Sequence, residues 1–407
     1  MKNDGLKEVN SSPSNLKTGK IKQVFFWCLL VIMPLVIIEL FSYSYIKLVI
    51  GKKTYRAKLN KRSLADGVEN PFHPYLGYVH APNINMKMTK GTSRKMKLTT
   101  DENGFSITPA FAFANPDFTI ITTGGSTIFG VGSTDNSTTV PSILEELIYQ
   151  RLKFRAEVVN LALRGAQSFQ EMLLLDRFFA EYRADLVLTI SGRNDADAAL
   201  RDPTVEGAFL KPPVWNNAVP LVQKAERGEF MVIGLQGKLR SLAYTYDLLY
   251  RWLGPSKKSK STVIMPKLNL RRQALTDTKQ RAKISITHYA AADQISKING
   301  ATFVMILQPT IFGKNTWTEV EKDRMKKKGK KKGFGDWEKY RQNEETFYNA
   351  LREIEKPFHF IDLSNIFFES NETLYVDHCH YNDLAAEKLA EKIFESIEPL
   401  LLKINAR

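Results

Sequence analysis

The longest apolar run in the chain, residues 24–46 (VFFWCLLVIMPLVIIELFSYSYI), carries a single charged side chain, Glu39, in 23 residues. Roughly 20 apolar residues suffice to cross a bilayer, so the run predicts a transmembrane helix that Pro34 would kink without forbidding. Its length, and the absence of a small-x-small cleavage site after it, argue against a removed signal peptide. Residues 1–23 are polar and rich in Lys, Ser and Asn, which predicts a disordered tail. Residues 47–70 read as a basic linker. Residues 71–116 hold short extended pieces punctuated by Pro and Gly, among them LTTDENGFS, and predict a small β-rich lead-in.

From residue 117 the pattern becomes an alternation of strand and helix that runs to about residue 403. Strands are predicted at 118–123 (FTIITT), 157–161 (EVVNL), 186–191 (LVLTIS), 302–307 (TFVMIL) and 358–363 (FHFIDL). The third is largely apolar, as expected where helices cover both faces of a sheet. Helices are predicted from about Val140, over 170–182 and over 384–397; the last carries Leu384, Ala385, Leu389, Ile393 and Ile397 on one stripe. Five strands separated by helices predict an α/β fold, a three-layer α/β/α sandwich around a five-stranded parallel sheet. Two insertions interrupt it. One spans about 197–275, with an amphipathic helix near 239–253, and is too long for a plain connection, so it reads as a lid or an accessory subdomain. The other spans about 312–340.

Charge adds one element to this picture. The net charge is +15, from 58 Lys and Arg against 43 Asp and Glu. Part of the excess flanks the apolar run, with Lys2, Lys7, Lys17, Lys20 and Lys22 before it and Lys47, Lys52, Lys53, Arg56, Lys58, Lys61 and Arg62 after it. Counted by the positive-inside rule, these favour a cytoplasmic catalytic domain, whereas a short tail before one early anchor favours an extracytoplasmic one, in the periplasm or at the cell surface. A second concentration is the run from Lys326 to Lys332, readable either as a solvated mobile loop or as a contact for anionic lipid or an acidic polymer. No motif or aromatic interleaving supports nucleic-acid binding. Two cysteines, Cys28 in the apolar run and Cys379 near the C-terminus, offer no disulfide framework.

Candidate chemistry collects where strands end at their carboxyl edge. The first ends in Gly124-Gly125-Ser126-Thr127, where glycines let the chain turn sharply and expose a hydroxyl; the lysine of a phosphate-cradling loop is absent. After the second comes Gly165, either a turn glycine or a backbone N–H donor to the same crevice. Following the third, Asn194 in GRND could donate an uncharged hydrogen bond to an oxyanion or, like Asp195, cap a helix. Just before the last helix, Asp377 stands three residues ahead of His380, a spacing that lets a carboxylate hold an imidazole in one tautomer. His378 and His380 with Asp377 also invite a metal reading, but no second ligand cluster accompanies them.

Taken together and in order, Ser126, Gly165, Asn194 and His380 resemble the four blocks of the SGNH (GDSL-like) hydrolase family. DENGFS resembles the segment that precedes such domains in bacterial membrane-anchored members. One departure is Gly125, which stands where the GDSL spelling has aspartate. The resemblance implies the flavodoxin-like fold of that family and a serine esterase that removes O-acyl groups, acetyl foremost, from a polysaccharide or lipid-linked substrate. It implies Ser126 as nucleophile, His380 as base, Asp377 as its orienter, and an oxyanion hole made by the Ser126 and Gly165 N–H groups with the Asn194 amide. No cofactor or metal is implied. Two alternatives stay open: an O-acyltransferase that hands the acyl group to a cell-surface glycan, and a non-catalytic membrane-tethered scaffold that binds glycan through the lysine run.

Overall fold

The computed structural model of the chain describes residues 14–49, 73, 76, 78–88, 96–108, 115–180, 182–201, 239, 243–253, 278–332 and 337–406. The predicted linker at 47–70 falls almost entirely outside them, as does much of the insertion at 197–275. The chain divides into two units: Met1–Gly67 with Pro220–Thr262, and Val68–Val219 with Val263–Arg407.

In the first unit one helix, Ser14–Leu48, carries Pro34 in its interior. Within it Phe26–Leu48 is long and apolar enough to cross a bilayer, a test that a signal sequence near an N-terminus also passes. The helix starts inside the segment expected to be disordered, at Ser14, because SNLKTGKIKQ holds no proline and the long apolar run that continues the same turns outweighs the one glycine, Gly19. A second helix, Tyr244–Leu253, realises the amphipathic pattern of the insertion and packs against the first. By internal contacts, therefore, Pro220–Thr262 belongs with the N-terminal helix rather than with the strand-and-helix domain it interrupts in sequence.

The second unit opens with an antiparallel pair, β1 (Asn85–Met88) and β2 (Met96–Thr99). Five parallel strands follow: β3 (Phe118–Gly124), β4 (Ala156–Asn160), β5 (Leu186–Ser191), β6 (Thr302–Leu307) and β7 (His359–Asp362), in the sheet order β4-β3-β5-β6-β7. Alternation along the strands feeds two cores. Ile120, Leu186, Leu188, Ile190, Val304 and Ile306 point to one face, covered by helices Val140–Leu152 and Asp383–Asn405. Ile121, Val187, Phe303, Met305 and Leu307 point to the other, covered by Ser168–Phe179, Thr278–Ile298 and Trp337–Glu353. Each fully buried Leu, Ile or Phe of these layers contributes roughly 1.5–3 kcal/mol over an exposed one. The chain is thus an α/β/α sandwich with a five-stranded parallel sheet.

Two helices differ from expectation. The lysine run is no loop: it closes helix Glu319–Lys332, whose first turn carries Glu319 and Glu321 at the end where the helix dipole favours acids. Lysine is a good helix former, so a run of it next to Val320 and Met325 continues a helix instead of ending one. Helix Thr278–Ile298 was not foreseen either; its buried face mixes Ile286, Tyr289 and alanines with Arg281, Ser285, His288, Asp293 and Ser296, which breaks up the usual apolar stripe.

Candidate active site

In the order β4-β3-β5, the chain leaves β3 for one side of the sheet and β5 lies on the other, so the carboxyl ends of β3 and β5 flank the crevice where open parallel sheets bind ligands. The Gly124-Gly125-Ser126 turn ends β3 and starts the short helix Ser126–Phe129. Asn194 stands in the first turn of helix Arg193–Arg201, directly after β5.

Ser126 Oγ is 2.6 Å from His380 Nε2, and His380 Nδ1 is 2.8 Å from both carboxylate oxygens of Asp377. Asp377 Oδ1 also accepts from the backbone N–H groups of Cys379 and His380, each at 3.1 Å, so the DHCH turn is wound around one carboxylate. Burial would push Asp377 up, yet the adjoining His380 imidazole overrides it and holds the carboxyl well below its ordinary value. For His380, burial opposes the charged ring, but Asp377 prevails and raises it above the ordinary value.

Ser126 and His380 are 254 residues apart, and several contacts fix their separation. A Cβ on Gly132 would stand 1.9 Å from the Tyr381 carbonyl oxygen, so the loop after the serine helix touches the backbone next to His380. Thr134 N–H donates to Asp383 Oδ1 at 2.7 Å, tying that loop to the first turn of the last helix. Tyr381 Oη donates to the Pro309 carbonyl at 2.8 Å, and Ile311 N–H to the His378 carbonyl at 3.2 Å, anchoring the DHCH turn to the end of β6.

Asn194 lies against the nucleophile turn: a Cβ on Gly125 would meet its Nδ2 at 2.3 Å. The same Nδ2 donates to the Ala166 carbonyl at 2.7 Å, one residue beyond Gly165. Leu163 N–H donates to the Gly124 carbonyl at 3.0 Å, so the loop holding Gly165 is bonded to the serine turn at one end and to Asn194 at the other. Gly165 itself adopts a positive φ of 81°, a conformation that glycine supplies without steric cost. The structure thus brings Ser126, Asp377 and His380 into one hydrogen-bonded line and gathers Asn194 and the Gly165 loop around the Gly125-Ser126 turn.

Several supporting residues are not singled out by the sequence pattern. Asp195 accepts from the Ser168 N–H at 3.1 Å and from the Ser168 and Ser285 hydroxyls at 2.8 and 3.1 Å, which pins the helix that carries Asn194. Burial raises its carboxyl. Arg193, 1% exposed, pairs with Asp197 at 2.6 Å and with Glu344 at 3.0 Å. From the lead-in, Tyr78 Oη donates to the Arg164 carbonyl at 2.7 Å, while His80 Nε2 accepts from the Arg164 N–H and Nε–H at 3.4 and 3.3 Å. The His80 ring is 4.1 Å from that of Phe129 in the serine helix, and a Cβ on Gly104 of the DENGFS segment would collide with the His80 carbonyl. The only signal for these roles was proximity in sequence to Asn194, Gly165 and DENGFS.

Asp377, His378 and Cys379 present donor atoms within 4.8 Å of one another, a set that suits a soft divalent ion. Asp377 gives both oxygens to His380, so an ion there would compete with that bond. Burial would raise the Cys379 thiol, but the His378 and His380 imidazoles pull it down to about 5.

No family model matches the chain, and no curated protein matches it. Among solved structures it is similar to a GDSL-like lipase from Bacteroides ovatus, at 12% identity and a TM-score of 0.35 over 70% of this chain and 53% of that one. It is similar to TesA at 14% identity and a TM-score of 0.35, over 69% of this chain and 99% of that one. For Axe2, an acetylxylan esterase from Geobacillus stearothermophilus, the values are 11% and 0.32, over 69% and 94%. Likenesses of this size do not bear on what the chain acts on.

Proposed function

We propose that the chain is a serine esterase that cleaves O-acyl esters, acetyl foremost, from a polysaccharide or a lipid-linked substrate. What carries the reading is the Ser126 Oγ to His380 Nε2 separation of 2.6 Å, with Nδ1 of the same ring 2.8 Å from Asp377. An imidazole bonded to a carboxylate on one side and a serine hydroxyl on the other is arranged to take the hydroxyl proton.

In this mechanism Ser126 Oγ attacks the acyl carbonyl carbon as its proton passes to His380 Nε2, and Asp377 stabilises the imidazolium. The carbonyl oxygen becomes an anion held by the N–H groups of Ser126 and Gly165 and by Asn194 Nδ2. Collapse breaks the ester bond, and His380 returns the proton to the departing alcohol. Water, deprotonated by the same ring, then releases the carboxylic acid and frees Ser126. The substrate class follows from the family resemblance and from an apolar N-terminal helix suited to a membrane surface.

The deciding experiment is labelling with a fluorophosphonate probe. Wild type should label and Ser126→Ala should not; a wild type that stays unlabelled while folded would remove the proposal and favour a binding scaffold. Acetate release measured with and without a sugar acceptor identifies water as the acyl acceptor if the sugar leaves the yield unchanged.

A further inference from the structure

Glu39 is an ionisable side chain deep in the apolar part of the N-terminal helix, where a charge in hydrocarbon is expensive and needs a partner. Its partner is the start of helix Tyr244–Leu253. Glu39 Oε2 accepts from the Thr245 N–H at 2.9 Å and the Thr245 hydroxyl at 2.7 Å, and Oε1 accepts from the Tyr244 N–H. Those N–H groups are among the first of the helix, the ones that have no partner within it, at the end whose dipole favours an anion. Ser42 Oγ adds a bond to Thr245 Oγ1 at 3.2 Å. Around this clasp Ser42, Ile46 and Leu248 are buried between the two helices.

Aromatic residues mark a level on the pair. Tyr43 lies against Tyr244 with the rings tilted and their centroids at 4.9 Å, and Tyr45 meets Trp252 edge-on at 5.6 Å. At the other end of the apolar run stand Phe26 and Trp27. From Trp27 to Tyr45 the helix rises about 27 Å at 1.5 Å per residue, close to the roughly 30 Å of a hydrocarbon core. Tyr and Trp concentrate at the two edges of that core. Helix Tyr244–Leu253 therefore begins at the depth of Glu39, about one turn inside the tyrosine level, and ends beside it. Its remaining described face is apolar and open: Leu249, Trp252 and Leu253 are 44%, 57% and 81% exposed, in the same unit as the exposed apolar side chains of Phe26–Leu48.

We propose that helix Tyr244–Leu253 is a second membrane element, seated in the lipid interface against the anchor and held there by the Glu39 clasp. The occupant of its Leu249, Trp252 and Leu253 face is a lipid bilayer. An amphipathic helix bound in this way buries its apolar side at the boundary of headgroups and acyl chains. The inference rests on Phe26–Leu48 spanning a membrane and is independent of the esterase reading.

The test uses the full chain, with Cys28→Ser and Cys379→Ser so that each sample carries one thiol, reconstituted in phosphatidylcholine–phosphatidylglycerol vesicles. A nitrobenzoxadiazole fluorophore is attached at Leu253→Cys and, in a second sample, at the exposed Lys392→Cys. Nitroxides on lipid acyl chains should quench the label at 253 several-fold more than the label at 392, and aqueous iodide should do the reverse. Glu39→Leu should release the helix, so that iodide reaches position 253 while the protein still resists alkaline carbonate extraction. Iodide-accessible, lipid-unquenched label at 253 in carbonate-resistant protein overturns the proposal and leaves the anchor standing. Shielding from both quenchers points to a second protein copy and overturns it as well. Complete extraction by carbonate overturns the anchor and the proposal together.

Discussion

A Cβ at position 125 is the smallest change that reaches the chemistry without touching a reacting group. In Gly125→Ala the new carbon would be 2.3 Å from Asn194 Nδ2. Ordinary contact needs about 3.5 Å, so the amide must retreat by roughly 1 Å. It has little freedom to do so: Nδ2 is bonded to the Ala166 carbonyl, and the next residue, Asp195, is held by Ser168 and Ser285. A shift of about 1 Å in a positioned group can cost on the order of 10²-fold in rate. On the proposed mechanism Asn194→Ala deletes an oxyanion donor outright, a loss that costs about 10²–10³ in kcat, or roughly 2.7–4 kcal/mol. If Gly125→Ala acts by displacing Asn194, the double variant should lose no more than Asn194→Ala alone. Independent effects would instead multiply to on the order of 10⁴–10⁵. The assay is steady-state hydrolysis of a chromogenic aryl acetate by all four proteins, with thermal unfolding to confirm that each is folded. Multiplying losses, or a Gly125→Ala protein within threefold of wild type, would refute the reasoning.

The raised His380 predicts that kcat/KM climbs with pH through a midpoint above the ordinary histidine value of about 6.5. Asp377→Asn should move that acid limb to lower pH and reduce kcat; an unmoved limb would detach Asp377 from His380. His80 supplies a stability prediction. Burial and the neighbouring Arg164 lower it to about 3, and its Nε2 accepts two N–H bonds, so the folded protein keeps it neutral. The unfolded chain binds that proton near pH 6.5, so this contribution is intact above pH 6.5 and is lost as pH falls toward 3. By pH 5 the loss is about 2 kcal/mol. Urea unfolding of wild type and His80→Gln at pH 7 and pH 5 measures it; equal acid losses in the two proteins would discard the idea.

The sheet was legible in the sequence because central parallel strands are apolar on both faces, and 186–191 and 302–307 coincide with β5 and β6. Strand ends drifted by one residue at β3, β4 and β7, where the last hydrogen bond and not the hydrophobic pattern sets the limit. Helix Thr278–Ile298 escaped because its inner face interleaves Ile286, Tyr289 and alanines with buried serines and charged residues, which blurs the hydropathy period. At the site, Ser126 stood out after a glycine turn at a strand end, and Asp377 with His380 as a carboxylate three residues ahead of an imidazole just before the last helix. Tyr78 and His80 did not: their parts depend on contacts across 86 and 84 residues, and no local spacing encodes them. Arg193 has a local pair with Asp197, but its bond to Glu344 spans 151 residues.

The 254 residues between Ser126 and His380 have a consequence during synthesis. At about 5–20 residues per second, the serine is made roughly 10–50 s before its histidine. The N-terminal apolar helix is complete earlier still. Helix Asp383–Asn405, which follows the DHCH turn, shares the covering of one face of the core with Val140–Leu152. On the proposed mechanism a nascent chain stays inert toward esters until the DHCH turn has been made and brought to Ser126. A chain truncated ahead of that turn would carry Ser126 without the imidazole that stands 2.6 Å from its hydroxyl.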